Sequence, residues 1–323
     1  IEPSPHDPAT AYVAATRYRL DDFQPYLFKT NDYGQTWAKI TTGIAQNDFT
    51  RVIREDQQRR GLLYAGTETG IHVSFDDGEH WQSLQCNLPT VPIHDMVIKD
   101  TDLVVATHGR SFWILDDMTP LRQMSEKVQN EAVHLFQPRP TTRFITKWGF
   151  TRAPASGKFY RMTGGVMVTA RRVQEPGEDA VDRNLDAGEN PPDGVIVIYY
   201  LKQQPEGEVK LTFLDAQGGE IKAFSSEAEQ APAGAEDTTA APDVKDEARN
   251  KDKKDPRVTK EAGSNRFVWN MRYPDPTKVE GYVASEGAIA GPVVAPGTYQ
   301  VRLTVGDQEF TTSFDIYKDP RVQ

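Results

Sequence analysis

The chain carries one cysteine, Cys86, among 323 residues, so no disulfide can close within it and a disulfide-stapled scaffold is excluded. No apolar run approaches the roughly 20 residues that a helix needs to cross a bilayer, and no membrane span is expected. Positive charge is in deficit: 37 Lys and Arg against 47 Asp and Glu leave a net charge of −10, which argues against nucleic acid or an anionic membrane as partner. Familiar catalytic signatures are missing too. There is no G-x-S-x-G elbow and no phosphate-cradling Gly-rich loop, and His72, His80 and His94 are not spaced with Cys or carboxylates as metal ligands, so neither metal nor cofactor is expected. Cys86 follows a predicted strand and reads as a packed small residue rather than a nucleophile.

What is present is a repeat. Thr30-Asn31-Asp32-Tyr33-Gly34-Gln35-Thr36-Trp37 returns as Ser74-Phe75-Asp76-Asp77-Gly78-Glu79-His80-Trp81, 44 residues further on (74 − 30). That period belongs to a propeller blade of four short strands. Each copy places an Asp and a Gly in a tight turn, with a hydroxyl residue before it and a Trp after it. This is the chemistry of a turn locked by side-chain hydrogen bonds and plugged by an aromatic ring. The second copy carries His80 where the first has Thr36.

The pattern S/T-x-D-x-G-x-T/S-W resembles the Asp box of BNR-repeat propellers, which include sialidases, sortilin-type receptors and photosystem-assembly propellers. The resemblance implies that each box lies on the turn between the third and fourth strands of a blade, away from the usual ligand face. Thr30, Asp32, Gly34, Thr36, Trp37, Ser74, Asp76, Gly78 and Trp81 are accordingly expected to hold blades together.

Strand-like runs at 11–16 and 26–29 lead into the first box, and runs at 49–53, 62–66 and 71–74 lead into the second. A third unit follows at 93–98, 103–106 and 112–115, and its turn at 116–120 has neither Gly nor Trp. Three blades do not close a ring, which takes roughly four to eight, and an open stack leaves apolar edges ready to pair. Residues 1–130 are therefore expected to be the C-terminal blades of a larger propeller, partnered by N-terminal blades in another segment or chain.

Beyond this point the pattern changes. Residues 131–194 read as an irregular connector wrapping the domains, with 132–136 as a strand leaving the propeller and Trp148, Phe150 and Phe159 as apolar cover. Alternating runs at 195–201, 208–214, 220–224, 266–269, 297–305 and 309–316 predict an immunoglobulin-like β-sandwich over 195–323. Within it, 225–263 is charged and poor in large apolar residues, and reads as a solvated insertion loop. The expected fold class is thus all-β: an incomplete β-propeller of about three Asp-box-type blades, then the sandwich.

The segments 63–78 and 106–117 are similar to the end of the propeller in large bacterial proteins described as sortilin-like or BNR-repeat glycosyl hydrolases. Residues 190–192, 265–274 and 296–303 are similar to their C-terminal sandwich. The resemblance implies a secreted or periplasmic protein, with a hydrolase label that rests largely on the repeat.

In a propeller, the loops joining second to third strands share the ligand face with the loops between blades. Here the former carry Arg17 and Tyr18, then Glu68, then His108 and Arg110. Arg110 could grip an anion, His108 could titrate near neutrality and Glu68 could act as acid or base. The plainer reading pairs Glu68 with Arg110 and packs His108 against Gly109. A glycosidase needs two carboxylates held across the sugar, and a sialidase a Tyr nucleophile with its Glu and an arginine cluster; no such set is visible. Two functions compete: a non-catalytic part binding protein, peptide or glycan, and a fragment of a sialidase-like glycoside hydrolase with catalytic residues partly on other blades.

Overall fold

A computed structural model of the chain describes residues 1–144, 157–163, 166–173, 181–185, 188, 191–227, 255–277 and 290–322. Trp148, Phe150, Asn190 and residues 228–254 of the charged insertion lie outside the described residues.

The first 118 residues form three antiparallel meanders stacked face to face, a propeller-like all-β arrangement. The first blade is β1 (Glu2–Pro3), β2 (Ala11–Arg17), β3 (Asp22–Thr30) and β4 (Ala38–Lys39); the second is β5 (Thr50–Glu55), β6 (Leu63–Thr67), β7 (Ile71–Ser74) and β8 (Gln82–Ser83). The third has only β9 (Ile93–Lys99), β10 (Asp102–Thr107) and β11 (Phe112–Leu115). Where a fourth strand would begin, Pro120 opens the short helix α1 (Thr119–Gln123), followed by α2 (Glu126–Asn130). Proline suits a first helical turn, whose N–H groups have no intrahelical partner, and it cannot donate to a strand ladder.

Period-2 alternation gives each blade two apolar faces, and both faces of the second are buried. Against the first blade, Ile53, Leu63, Ala65 and Trp81 pack on Tyr12, Leu27 and Ile44. Against the third, Val52, Tyr64, Ile71 and Val73 pack on Ile93, Met96, Leu103 and Val105. Gly66 marks a close approach of the second and third blades, because a Cβ there would sit 2.6 Å from Val52 Cγ1 and 2.7 Å from Ile93 Cγ2.

Residues 131–194 hold more regular structure than an irregular connector. β12 (Val133–Leu135) and β13 (Thr141–Arg143) join the C-terminal sheets, while β14 (Gly157–Thr163), β15 (Val166–Val173) and β16 (Val181–Asn184) form a separate meander. The intervening Gly164-Gly165 between two alternating runs is a hairpin signal in the sequence. Thereafter come β17 (Val195–Leu201), β18 (Val209–Leu214), β19 (Glu220–Ser225), β20 (Gly263–Trp269), β21 (Gly297–Val305) and β22 (Gln308–Lys318).

Two sheets, ordered β12-β17-β20 and β13-β22-β21-β18-β19, enclose one core; the β13–β22 pair is parallel and the other pairs are antiparallel. Phe213 stacks on Trp269 with ring centroids 4.4 Å apart. The buried aromatics find partners for their polar atoms: Trp269 Nε1 donates to Arg272 O at 3.2 Å, and Tyr299 Oη to Ala295 O at 2.6 Å. The stack and this unit meet where Arg139 donates to Thr101 Oγ1 and Asp102 Oδ1 at 3.1 and 3.0 Å.

Cys86 departs from its expected packing. It is exposed, at φ +44°, in the turn after β8.

Candidate functional site

Both repeat motifs fall between the third and fourth strands of their blades, and their side chains satisfy the turn. In the first, Thr30 Oγ1 donates to Asp32 Oδ1 at 2.8 Å and accepts from Gly34 N at 2.9 Å; Thr36 donates to Asp32 through N at 2.9 Å and Oγ1 at 2.6 Å. These bonds hold the Asp32 carboxyl down at about 2, the Thr36 hydroxyl contributing most. In the second, Ser74 and Asp76 repeat the pattern, and His80 Nδ1 lies 2.8 Å from Asp76 Oδ2 in the place of the Thr36 hydroxyl. Burial pushes the Asp76 pKa up, but the His80 backbone N–H, the Ser74 hydroxyl and the His80 ring outweigh it, and the net shift is downward. Asp76, Glu79 and His80 bring ligand-type atoms within 4.8 Å of one another, a proximity that the sequence reading did not assign to His80. The bonding of Asp76 to Ser74 and His80 accounts for it as the turn's own lock.

A different set gathers at the opposite end, where β2–β3, β6–β7 and β10–β11 turn and the chain enters each new blade. Tyr18, in a single turn of 3-10 helix, stacks on Phe49 with centroids 5.2 Å apart. The Arg51 guanidinium carbon sits 4.9 Å from the Phe49 ring centroid and 5.7 Å from that of Tyr18. Arg51 donates from Nε and Nη2 to Glu68 Oε2 at 2.9 and 2.5 Å. Next to this pair, His94 and His108 stack with centroids 4.7 Å apart. The His94 pKa is pushed below its ordinary value by desolvation, then by the Arg51 charge and by His108, with Glu68 opposing.

The backbone fixes this placement. Glu68 N donates to Phe49 O at 3.1 Å and His108 N to Pro92 O at 2.9 Å, so each turn is tied to the strand entry of its own blade. Thr69 adds two bonds to the buried Asp48, at 3.1 Å from N and 2.8 Å from Oγ1. In the third blade, Thr107 Oγ1 donates to Ser111 O at 2.6 Å, and Gly109 takes φ +90° at the tip.

Of the five residues singled out for this face, Tyr18, Glu68 and His108 come together. Arg110 is exposed in the same turn as His108, with its backbone O accepting from Trp113 Nε1 at 3.0 Å. Glu68 pairs with Arg51 rather than Arg110. Arg17 turns aside to Asp22, at 3.2 Å, and to the Tyr26 ring, at 5.7 Å. Sequence reasoning missed Phe49, Arg51 and His94, which stand at the entries of β5 and β9. Their signal was positional, since the entry of each blade shares the face with the turns between second and third strands.

No protein-family profile matches the chain, and no curated protein sequence matches it. Among solved structures, the chain is similar to YCF48 bound to D1 peptide, at 16% identity and TM-score 0.23, over 54% of this chain and 55% of that one. It is also similar to an ancestral GH74 enzyme, at 9% identity and TM-score 0.28, over 69% of this chain and 37% of that one. The chain thus spans about half and about a third of their lengths. Neither likeness, at these values, assigns a function.

Proposed function

We propose that this chain is a non-catalytic, ligand-binding part of a secreted or periplasmic sortilin-like Asp-box propeller protein, and that it takes a protein, peptide or glycan on the platform of Tyr18, Phe49, Arg51, Glu68, His94 and His108. The observation that carries the reading is the Tyr18–Phe49–Arg51 stack, a planar cation laid over two rings beside a pair of stacked imidazoles. Phe49 is buried under Tyr18 and Arg51, so the Tyr18 ring and the imidazoles are the faces that accept sugar rings, prolines or other aromatics, and the donors around them set orientation. The C-terminal two-sheet unit is read as an immunoglobulin-like docking or spacing module, supported by its single aromatic core between facing sheets.

Three carboxylates at this end are already engaged: Glu68 by Arg51, Asp48 by Thr69, and Asp22 by Tyr26 and Arg17. None is paired with a second carboxylate as glycoside hydrolysis requires, which favours binding over the hydrolase reading. The test is an array of peptides and glycans probed with the chain and with Tyr18→Ala and His108→Ala. The reading expects a ligand whose capture falls at least about tenfold in both variants, the loss of one good contact, at unchanged melting temperature. Equal capture by all three proteins contradicts it.

A further inference from the structure

The two tryptophans of the repeat stand in the same place on neighbouring blades and meet different surroundings. Trp81 is 5% exposed, whereas Trp37 is 44% exposed. Trp81 is covered by the segment that follows the first blade's own box: its Nε1 donates to Ile40 O and its N to Thr42 O, both at 2.8 Å. The Ile40 side chain also closes over Gly78, with Cδ1 2.7 Å from where a Cβ would stand. Trp37 has nothing of the kind. Its Nε1 turns back to Gly34 O in its own turn at 3.2 Å, and the only atoms near a Cβ on Gly34 are those of Trp37 itself.

The strands tell the same story. Ala65 and His72 pair across β6 and β7 on the face that the first blade covers, and their counterparts Val13 and Phe28 pair across β2 and β3. With Trp37, Val13 and Phe28 line an open apolar groove of about 280 Å³. This surface continues the blade-on-blade interface already present twice in the stack.

We infer that the outer face of the first blade, Val13, Phe28 and Trp37, is the docking surface for a four-stranded Asp-box blade, whose segment just after its own box supplies a backbone carbonyl to Trp37 Nε1 and an aliphatic side chain over Gly34. The internal template specifies this occupant: Ile40 stands three residues after Trp37, and an incoming blade needs an aliphatic residue at the same offset. One feature differs from the template. Tyr12 Oη and Lys29 Nζ of the first blade both bond Asp77, but the matching position in the first box is Tyr33, so the incoming blade meets an aromatic ring there rather than a carboxylate. A second copy of this chain is the poorer occupant. Its third blade exposes a complementary apolar face at Val97, Phe112 and Ile114, but it runs into α1 where a box and fourth strand would supply the carbonyl.

The inference concerns a face distinct from the loop-end platform and stands or falls separately from ligand binding. The experiment is photo-crosslinking in the native particle from Phe28→p-benzoylphenylalanine, with Val13→p-benzoylphenylalanine as a second site should the first perturb folding, and mass spectrometry of the joined peptides. The expected product joins position 28 or 13 to a peptide lying within a few residues after the Trp of an S/T-x-D-x-G-x-T/S-W box. Crosslinks to 97, 112 or 114 of another copy, crosslinks to a protein without such a box, or no crosslink from folded protein at both sites would each overturn it.

Discussion

At the scale of single residues, the two repeat turns are one hydrogen-bond scheme written with different side chains. His80 replaces Thr36 because an imidazole nitrogen at the same offset reaches the same carboxylate oxygen, which is why a mismatch in the sequence leaves the turn intact. The paired Trp residues separate local from shared stability. Trp81→Ala should cost about 3–5 kcal/mol, the range for emptying a packed aromatic site, while Trp37→Ala in the isolated chain should cost about 1 kcal/mol or less. Urea unfolding of both variants checks this. Asp32 adds an acid dependence: its folded pKa of about 2 lies below the ordinary 3.8, so its contribution is complete above that ordinary value and is lost as pH falls toward 2. Asp32→Asn should therefore flatten the urea midpoint over that interval. The repeat residues were legible in the sequence because the turn is a local problem, in which the hydroxyl, Asp and His side chains bond one another and the backbone within four positions. The exposure of Trp37 was not legible, since it depends on what lies against the blade.

Elements show the next level. Most strands were legible as alternating runs bounded by turn residues, and β17, for example, spans the stretch from Val195 to Leu201 that the pattern marked. What alternation left open was partnership: β12 reads as a strand in isolation, yet only its pairing with β17 assigns it to the C-terminal sheets. β14 and β15 were passed over although their alternation and glycine pair were visible. Where blades meet, two positions carry predictions. Gly66→Ala should destabilise by about 1–3 kcal/mol, the usual cost of overpacking, because the new methyl meets Val52 and Ile93 from two blades at once. His72 lies at the junction with the first blade, its Nδ1 buried without a partner among the described residues, and desolvation lowers its pKa against an opposing pull from Asp48. The unfolded chain therefore takes up the proton first, so stability is complete above the ordinary histidine value of 6.5 and declines as pH falls below it. In His72→Leu, that decline should be smaller in chemical-denaturation midpoints measured from pH 7.5 to 5; an undiminished slope would place the titrating group elsewhere.

For the whole molecule, three stacked blades bring residues from 18 to 108 into one patch. That assembly explains both what the sequence revealed of the site and what it concealed. Tyr18, Glu68 and His108 were found because all three sit in turns between second and third strands. Phe49, Arg51 and His94 were missed because they belong to strand entries, and only the ring-like stacking brings strand entries and turns to the same end. The Glu68–Arg51 pair likewise spans 17 positions of sequence and follows from the β5–β6 register. His94 makes the patch responsive to acid: with its pKa held below the ordinary value by desolvation and by the Arg51 charge, its ring stays neutral until the pH drops further, and its protonation then adds positive charge. An acidic ligand should bind more tightly as pH falls through that lowered pKa, and His94→Gln should remove this gain in titrations at constant ionic strength.

The most direct measurement is a hydrogen-exchange footprint of the chain with the strongest ligand from a peptide and glycan array. The account predicts protection in residues 18–23, 49–51, 68–70, 93–95 and 107–111, with the repeat turns at 30–37 and 74–81 unchanged. Protection confined to the groove of about 660 Å³ around Thr101, Arg139, Pro140 and Pro192, with the platform unprotected, would contradict it.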